Sequence, residues 1–490
     1  MTRRILIDPI TRLEGHGKID ILLDDDGNVV DAYLQVVELR GFERFCEGRP
    51  VEELIRIMPK ICGVCPGAHH MAAAKAADAV WDVTIPPAAR KLRELFYNAH
   101  IAHSHILHFF ALGAPDLLLG PDAPKAKRNI LGLVELVGRD VGVDVFTHRG
   151  YAQRIQGMIA GHPIHPVAAL PGGMSKPLAE SDRDEIEQMG ASLVAFGERC
   201  LALWDDAILG RRELVELVTG DTYRHETYYA GLVDPDGKVN FYDGQVRVVA
   251  PDGSRFAQYE GADYLDHIAE RVEPWSYLKL PYLKQVGWAG LVDGPDSGVY
   301  RVNSLARLNV ADGLATPRAQ AAYERMVSVF GGKPIHHTLA FHWARLVELM
   351  FATEEVLRLA TDPEITSPDV RVVPTARPGE GVGVVEAARG TLFHHYVADS
   401  RGIARKVNLI VATAQNNAAM NLSVKKVAQA TIRDGHVDEG ILDRIEMAFR
   451  AYDPCLACAT HTMPGQMPLE VRLHHPSGEV LTLRRNLDHT

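Results

Sequence analysis

Hydrophobic residues along this chain follow two periods, and the switches between them divide it into elements. Near the start, Lys18-Ile-Asp-Ile-Leu-Leu23 and Val29 to Val37 flank an acidic turn ending at Asp26-Gly27, a pattern that predicts a β-hairpin. From His69 the residues become Ala72, Ala73, Ala74, Ala76, Ala77 and Ala79, strong helix formers whose small side chains let a neighbouring element approach closely. Pro86-Pro87 interrupts this run. Leu92, Leu95, Phe96, Ala99, Ile106 and Phe110 then keep a spacing of three or four, which predicts a long amphipathic helix over 88–112 closed by Gly113 and Pro115. Over 223–260, Asp236-Gly237, Asp243-Gly244 and Asp252-Gly253 separate short runs such as Val246-Arg-Val-Val249, as in a hairpin meander. After Pro334 the helical period returns through Leu339, Trp343, Leu346, Val347, Met350, Val356 and Leu357. The expected fold is predominantly α, a long-helix bundle with small antiparallel β insertions. No linker rich in Pro, Gly and Ser marks a domain boundary.

Composition narrows the class. The 490 residues are 47% hydrophobic with a net charge of −11, which excludes disordered and collagen-like designs. No run of Lys and Arg exceeds two, so neither nucleic acid nor an anionic membrane surface is an expected partner. The stretch from Met1 to Gly17 lacks the apolar core of a signal peptide, and no segment reaches the ~20 apolar residues of a membrane span. Gly379-Glu-Gly-Val-Gly383 has a hint of a dinucleotide loop, but its spacing is not G-x-G-x-x-G and no βαβ pattern surrounds it, so a nucleotide site is rejected there.

Six cysteines are too few for a disulfide scaffold and suit a reducing compartment. Cys46 and Cys200 stand alone and are expected to be small buried hydrophobes. The other four form two C-x-x-C pairs, Cys62-Gly-Val-Cys65 and Cys455-Leu-Ala-Cys458, at opposite ends of the chain. Each pair can converge two sulfurs on one ion, and together they offer a soft, sulfur-rich site. Spacing alone leaves zinc, an iron–sulfur cluster and a catalytic metal open, although zinc ribbons usually separate their pairs by about 15–20 residues. His100, His103, His105 and His108 look like a second cluster, but on a helix they spread over more than one face and are expected to serve packing or relay.

Around the cysteines, Ile61-Cys-Gly-Val-Cys-Pro-Gly-Ala-His69 and Asp453-Pro-Cys-Leu-Ala-Cys-Ala-Thr-His461 resemble the two signature motifs of the large subunit of nickel–iron hydrogenases. Asp8-Pro-Ile-Thr-Arg-Leu-Glu-Gly-His16, Arg40-Gly-Phe-Glu43 and Gly381-Val-Gly-Val-Val-Glu-Ala-Ala-Arg-Gly390 resemble the same family, so the likeness runs from about Ile5 to His461. Thr413 to Asn417 and His394 to Tyr396 look most like the cytoplasmic members that couple to NAD or to heterodisulfide reductase.

The resemblance implies a large-subunit fold, a nickel–iron centre whose iron carries carbon monoxide and cyanide, and a nearby Mg²⁺. It makes Cys62 and Cys455 terminal thiolates on nickel and Cys65 and Cys458 bridges to iron, with His69 donating to a bridging sulfur. Thiolates suit this role because soft, strongly donating ligands stabilise the nickel states that exchange hydride. Glu14 would take the proton from Cys455 when dihydrogen splits, a step that a partly desolvated carboxylate with a raised pKa can perform reversibly. Arg389 would lie over the open face of the metals beside one cyanide, paired with Asp453, while Thr413 would donate to the other cyanide. Glu43 and His461 would bind Mg²⁺, a hard cation that suits the carboxylate better than the imidazole.

Three positions depart from the family pattern. Lys60 replaces an arginine ahead of the first C-x-x-C, Ser104 replaces an aspartate between two histidines, and Ala388 replaces a proline before Arg389. The first loses a bidentate fork, the second a carboxylate, and the third implies that the arginine is held differently. Beyond the 1–461 body, residues 462–490 read as a hairpin of Leu469-Glu-Val-Arg-Leu473 and Val480-Leu-Thr-Leu483 about Pro476-Ser-Gly478. In the family such an extension is removed by a dedicated endopeptidase once nickel is in place.

The resemblance therefore implies reversible oxidation of dihydrogen. Electrons would leave through an iron–sulfur small subunit, then through further diaphorase or heterodisulfide-reductase-type subunits, to a soluble acceptor such as NAD or a heterodisulfide/ferredoxin system. A cytoplasmic location is expected. The rivals are a zinc-clipped scaffold and the related quinone-linked subunit of respiratory complex I, which lacks the full cysteine set.

Overall fold

The computed structural model describes residues 3–460 and the strands Leu469–His474 and Val480–Arg485. About half the chain is helical, and small sheets wall the helical core. The long-helix bundle is therefore one component of the architecture.

Strands Arg3–Ile7, Gly17–Leu23 and Val29–Val36 form an antiparallel three-stranded sheet, with the predicted hairpin closed where Asp24 N donates to Asn28 O (2.9 Å). The bundle is built by Ala340–Ala360, which packs against Glu180–Trp204 and Pro87–Leu107, and by Arg139–Ala160 against Pro87–Leu107. The meander is Tyr228–Val233, Gln245–Val249 and Arg255–Tyr259, with Tyr300–Arg301 added as a parallel edge. The tail strands Leu469–His474 and Val480–Arg485 pair antiparallel, as the sequence predicts.

Two elements differ from expectation. The Pro87–Leu107 helix does not stop at Gly113: it continues in wider π turns through His108–Gly113 and Pro115–Leu119 before ending at Gly120. Pro115 has no N–H to contribute to a regular ladder, and the wider turn accommodates it. Residues 380–410, from which the sequence pattern drew no strands, form the antiparallel sheet Glu380–Ala387, Gly390–Ala398 and Ala404–Ile410.

The alanine-rich helix, Pro66–Val80, lies against the first of these strands. A Cβ at Gly383 would strike the carbonyl of Ala72 and the amide of Ala76, and one at Gly381 would meet Ala76 O and Val80 N. Those glycines thus bring a strand backbone onto a helix backbone, which is the packing reason for the segment that superficially resembles a dinucleotide loop. This contact fixes the helix that starts at Cys65 against the hairpin that ends at Arg389.

Candidate metal centre

Each C-x-x-C sits where a chain enters a helix. Cys62 follows the 3₁₀ turn Met58–Ile61, and Cys65 immediately precedes Pro66–Val80, whose first residue is a proline that loses no hydrogen bond there. The amide of Val64 points at Cys62 Sγ (3.1 Å). At the other end of the chain, Cys455 precedes the short turn Leu456–Ala459. The fold brings the pairs together: Cys62 Sγ is 3.3 Å from Cys455 Sγ, Cys65 Sγ is 3.0 Å from Cys458 Sγ, and Cys455 and Cys458 are 2.8 Å apart. All four sulfurs lie within 4.8 Å of one another and are buried.

Arg40 stitches the two cysteine loops. Its guanidinium donates to Ile61 O, and its amide donates to Thr460 O at 2.7 Å. Sequence reasoning passed over this side chain, although it opens one of the segments that resemble the family. Lys60 is exposed and plays no part in the loop contacts described for Arg40.

The Glu14 loop reaches the same sulfurs. Glu14 O accepts from Leu456 N (2.9 Å), and its carboxylate Oε2 accepts from Ala457 N (3.1 Å) and lies 3.0 Å from Cys455 Sγ. The approach requires glycine next door: Gly15 has φ +91°, and a Cβ there would lie 2.8 Å from Leu456 Cβ. Burial, reinforced by the neighbouring Cys62 sulfur, pushes the Glu14 carboxyl above its usual range. Hydrogen bonds from the other thiols, Cys455 first, hold Cys62 toward thiolate, while burial pushes Cys455 and Cys458 up.

Arg389 closes another side. Its Nε donates to Asp453 O (2.8 Å) and Nη2 to Asp453 Oδ1 (3.0 Å), and both side chains are buried. Burial works against the guanidinium charge, but Asp453 and the site's sulfurs outweigh it, holding the group protonated. Thr413 Oγ1 accepts from Cys455 N (3.1 Å), which leaves its own hydroxyl proton uncommitted by that bond. His69 reaches His394 (Nδ1 to Nε2, 3.1 Å), and His394 Nδ1 reaches the Tyr396 hydroxyl (2.7 Å). That histidine–tyrosine file joins two motifs far apart in sequence.

A small cavity opens between these groups, lined by Cys65, Cys458, His69, Arg389, Thr413 and Leu392. Arg389 Nη1 and Asp453 Oδ2 are buried without a hydrogen-bond partner. Soft sulfurs on one side with an unsatisfied guanidinium N–H and a hydroxyl on the other fit a soft-metal centre that carries hydrogen-bond-accepting ligands.

Glu43 Oε1 accepts from Leu409 N (2.8 Å), and His461 lies outside the described residues. The helix histidines diverge: His100 to Gln156 (3.1 Å), His105 to Glu348 (3.0 Å) and His108 to Arg450 O (3.1 Å), while neither ring nitrogen of His103 has a partner. Ser104 is buried and its hydroxyl makes no hydrogen bond. Cys46 and Cys200 are buried, with the Cys46 thiol pushed up to about 12 by burial.

Comparison with known proteins accords with this geometry. A family described as nickel-dependent hydrogenase matches residues 40–129 and 296–461, and one described as HoxL-like matches residues 4–39. The chain belongs to the nickel-dependent hydrogenase family. Within it, the chain is a large subunit of the [NiFe] hydrogenase type.

It is 49% identical over 485 residues to an iron-sulfur subunit of the F420-non-reducing hydrogenase of Archaeoglobus profundus, covering 99% of this chain and 100% of that one. It is 39% identical over 503 residues to the beta subunit of the NAD-reducing hydrogenase HoxS of Cupriavidus necator, covering 99% and 100%. A solved NAD⁺-reducing [NiFe]-hydrogenase in the H2-reduced state superposes with a TM-score of 0.88 at 40% identity, covering 94% of this chain and 100% of that one. The Ni-Fe-Se hydrogenase of D. vulgaris Hildenborough shares the fold at a TM-score of 0.74 and 23% identity, over 94% of this chain and 100% of its own.

Proposed function

We propose that this protein oxidises dihydrogen reversibly at a nickel–iron centre held by Cys62, Cys65, Cys455 and Cys458, with Glu14 as the first proton acceptor beyond the sulfurs. The observation that carries the reading is the contact between the Glu14 carboxylate and Cys455 Sγ at 3.0 Å, inside a buried four-sulfur cluster. When bound, the centre supplies the heterolysis of dihydrogen. The protein's own contribution is to exclude water, to hold the sulfurs, to keep Arg389 charged over the cavity, and to accept a proton from Cys455 Sγ at Glu14 Oε2. A carboxylate raised by burial suits that exchange, because its pKa moves toward that of its donor.

Iron ligands of the carbon monoxide and cyanide type match the cavity's donors, the free Nη1 of Arg389 and the Thr413 hydroxyl. His69 is assigned to a bridging sulfur, and Asp453 to the pairing that aims Arg389. Mg²⁺ is assigned to Glu43 and His461. Electrons leave through an iron–sulfur small subunit, followed by further electron-transfer subunits, because the chain's two C-x-x-C pairs are consumed by the centre. The name of one relative, an NAD-reducing hydrogenase, supports a soluble acceptor, and the likeness of Thr413 to Asn417 and His394 to Tyr396 to the cytoplasmic members supports a cytoplasmic setting. Among the described residues, no helix is long and apolar enough to cross a membrane.

Residues 462–490 are assigned to an extension removed by a maturation endopeptidase. The support is the likeness of Asp453-Pro-Cys-Leu-Ala-Cys-Ala-Thr-His461 to the family's second signature motif, which residues 462–490 follow. The decisive experiment is elemental analysis with infrared spectroscopy of the enzyme purified with its native partners. Nickel and iron near one each, with carbon monoxide and cyanide bands, are expected; zinc alone in a correctly processed preparation would refute the reading in favour of a structural clip.

A further inference from the structure

Arg389 stands at the tip of a two-residue turn, Ala388-Arg389, between the strands Glu380–Ala387 and Gly390–Ala398. A turn of two residues leaves its outer carbonyls without ladder partners, so its orientation has to be set from outside. Here side chains from other elements bond every carbonyl from 386 to 389. Tyr97 Oη donates to Glu386 O (2.8 Å), Arg307 Nη1 to Ala387 O (2.9 Å), Arg307 Nη2 to Ala388 O (3.3 Å), and Asn416 Nδ2 to Arg389 O (3.2 Å).

Arg307 is the only donor in that set with two hydrogen bonds to the turn. Its guanidinium is itself locked: Nε and Nη2 meet the two oxygens of Glu348 (2.6 and 2.7 Å), and Nη1 meets Glu386 Oε2 (2.7 Å), all fully buried. Glu348 is oriented in turn by His105 Nε2 (3.0 Å), and Glu386 by Leu232 N and Thr391 Oγ1 (2.8 and 2.7 Å). Ionic groups this deep are a weak source of stability compared with a well-packed apolar cluster. What they supply is fixed direction, because a guanidinium clamped by a carboxylate presents its remaining N–H groups at set angles.

We propose that Arg307, clamped by Glu348 and Glu386, is a positioning residue for hydrogen turnover: it holds the carbonyls of Ala387 and Ala388 and thereby aims Arg389 at the metal cavity. This rests on the reading that Arg389 serves the nickel–iron centre. Ala388 has no ring to fix its own φ, so the turn's geometry comes from the clamp. A proline at 388 would fix that angle covalently and is favoured at the first central position of such a turn.

The test uses the complete enzyme with its native partners, as wild type, R307K and E348Q, with each variant also made in combination with A388P. Nickel and iron are measured for each, then kcat and KM for dihydrogen. Hydrogen–deuterium exchange of residues 384–392 is followed in the metal-free full-length chain. R307K is expected to keep its metals and lose about tenfold to a hundredfold in kcat, with KM little changed and faster exchange at the turn, because Lys cannot make the fork and a small misplacement of a catalytic group costs that much.

Adding A388P is expected to restore most of the kcat and slow the exchange again. Wild-type kcat in R307K, or a loss that A388P leaves untouched, overturns the proposal. If R307K yields no folded complex, E348Q, which keeps shape but releases the clamp, must show the same loss and the same rescue; absence of either overturns it. A wild-type enzyme without nickel and iron would instead sink the functional reading, while the exchange experiment on the metal-free chain still reports on the clamp.

Discussion

Glu14→Gln separates proton acceptance from loop geometry at this site. Glutamine keeps an oxygen for Ala457 N, the 3.1 Å bond that ties the Glu14 loop to the second cysteine pair, and fills the same space beside Gly15. It cannot take a proton from Cys455 Sγ, 3.0 Å away. Water is a poor substitute acceptor here because the sulfurs are buried. A positioned general base contributes about 10²–10⁴ in rate, or ~3–5 kcal/mol of barrier, so E14Q is expected to lose that factor in dihydrogen-dependent viologen reduction and in exchange of D2 with solvent protons. Nickel, iron and the infrared bands should be unchanged, since no ligand is altered. Glu14→Asp is expected to fall between, because it keeps a carboxylate able to accept the proton, although the shorter side chain reaches Cys455 Sγ only with backbone movement. A fully metallated E14Q enzyme turning over within about threefold of wild type would refute the reasoning, since that is far less than the loss of a base produces.

Three further outcomes are expected. Cys455→Ala removes a thiolate whose metal complex cannot form otherwise, so nickel in the purified protein should fall to background by elemental analysis; full nickel would contradict the four-sulfur site. Gly383→Ala drives a Cβ into the backbone of the Pro66–Val80 helix, and chemical denaturation should show a loss of about 1–3 kcal/mol or failure to fold, whereas unchanged stability would contradict the close packing. Glu348 is held down to about 2 from 4.5: burial opposes its charge, and Arg307 and His105 outweigh burial. The unfolded state therefore takes up the proton first as pH falls, and the stabilisation, ~3 kcal/mol, is complete above pH 4.5 and lost on the way down to about 2. The stability difference between wild type and E348Q should shrink over that window, and a difference independent of pH would refute the assignment.

Local signals were legible in the sequence and non-local ones were not. The hairpin about Asp26-Gly27, the alanine helix and the 340–360 helix each declare themselves within a dozen residues, and the structure places them within a few residues of expectation. The strand Glu380–Ala387 did not, because it is almost wholly buried on both faces and interrupted by Gly381 and Gly383, so no alternation survives to be read. The four cysteines announced a metal site, but Glu14 and Arg389 became visible only through motif resemblance, since a lone glutamate or arginine has no local chemistry that marks it. Arg40, His394 and Arg307 matter through partners distant in the chain, and periodicity carries no trace of such pairs.

Ala388 illustrates the consequence of that limit. In the sequence it implies only that Arg389 is held differently, because the covalent restraint of a proline is missing. In three dimensions the carbonyls from 386 to 389 are bonded one by one by Tyr97, Arg307 and Asn416, so the restraint is supplied by side chains from elsewhere in the fold. A departure from a motif can thus be seen in one segment while its compensation lies in three others. Substitutions at such positions are best judged by counting the hydrogen bonds that reach the backbone, since those bonds set where the catalytic side chain points.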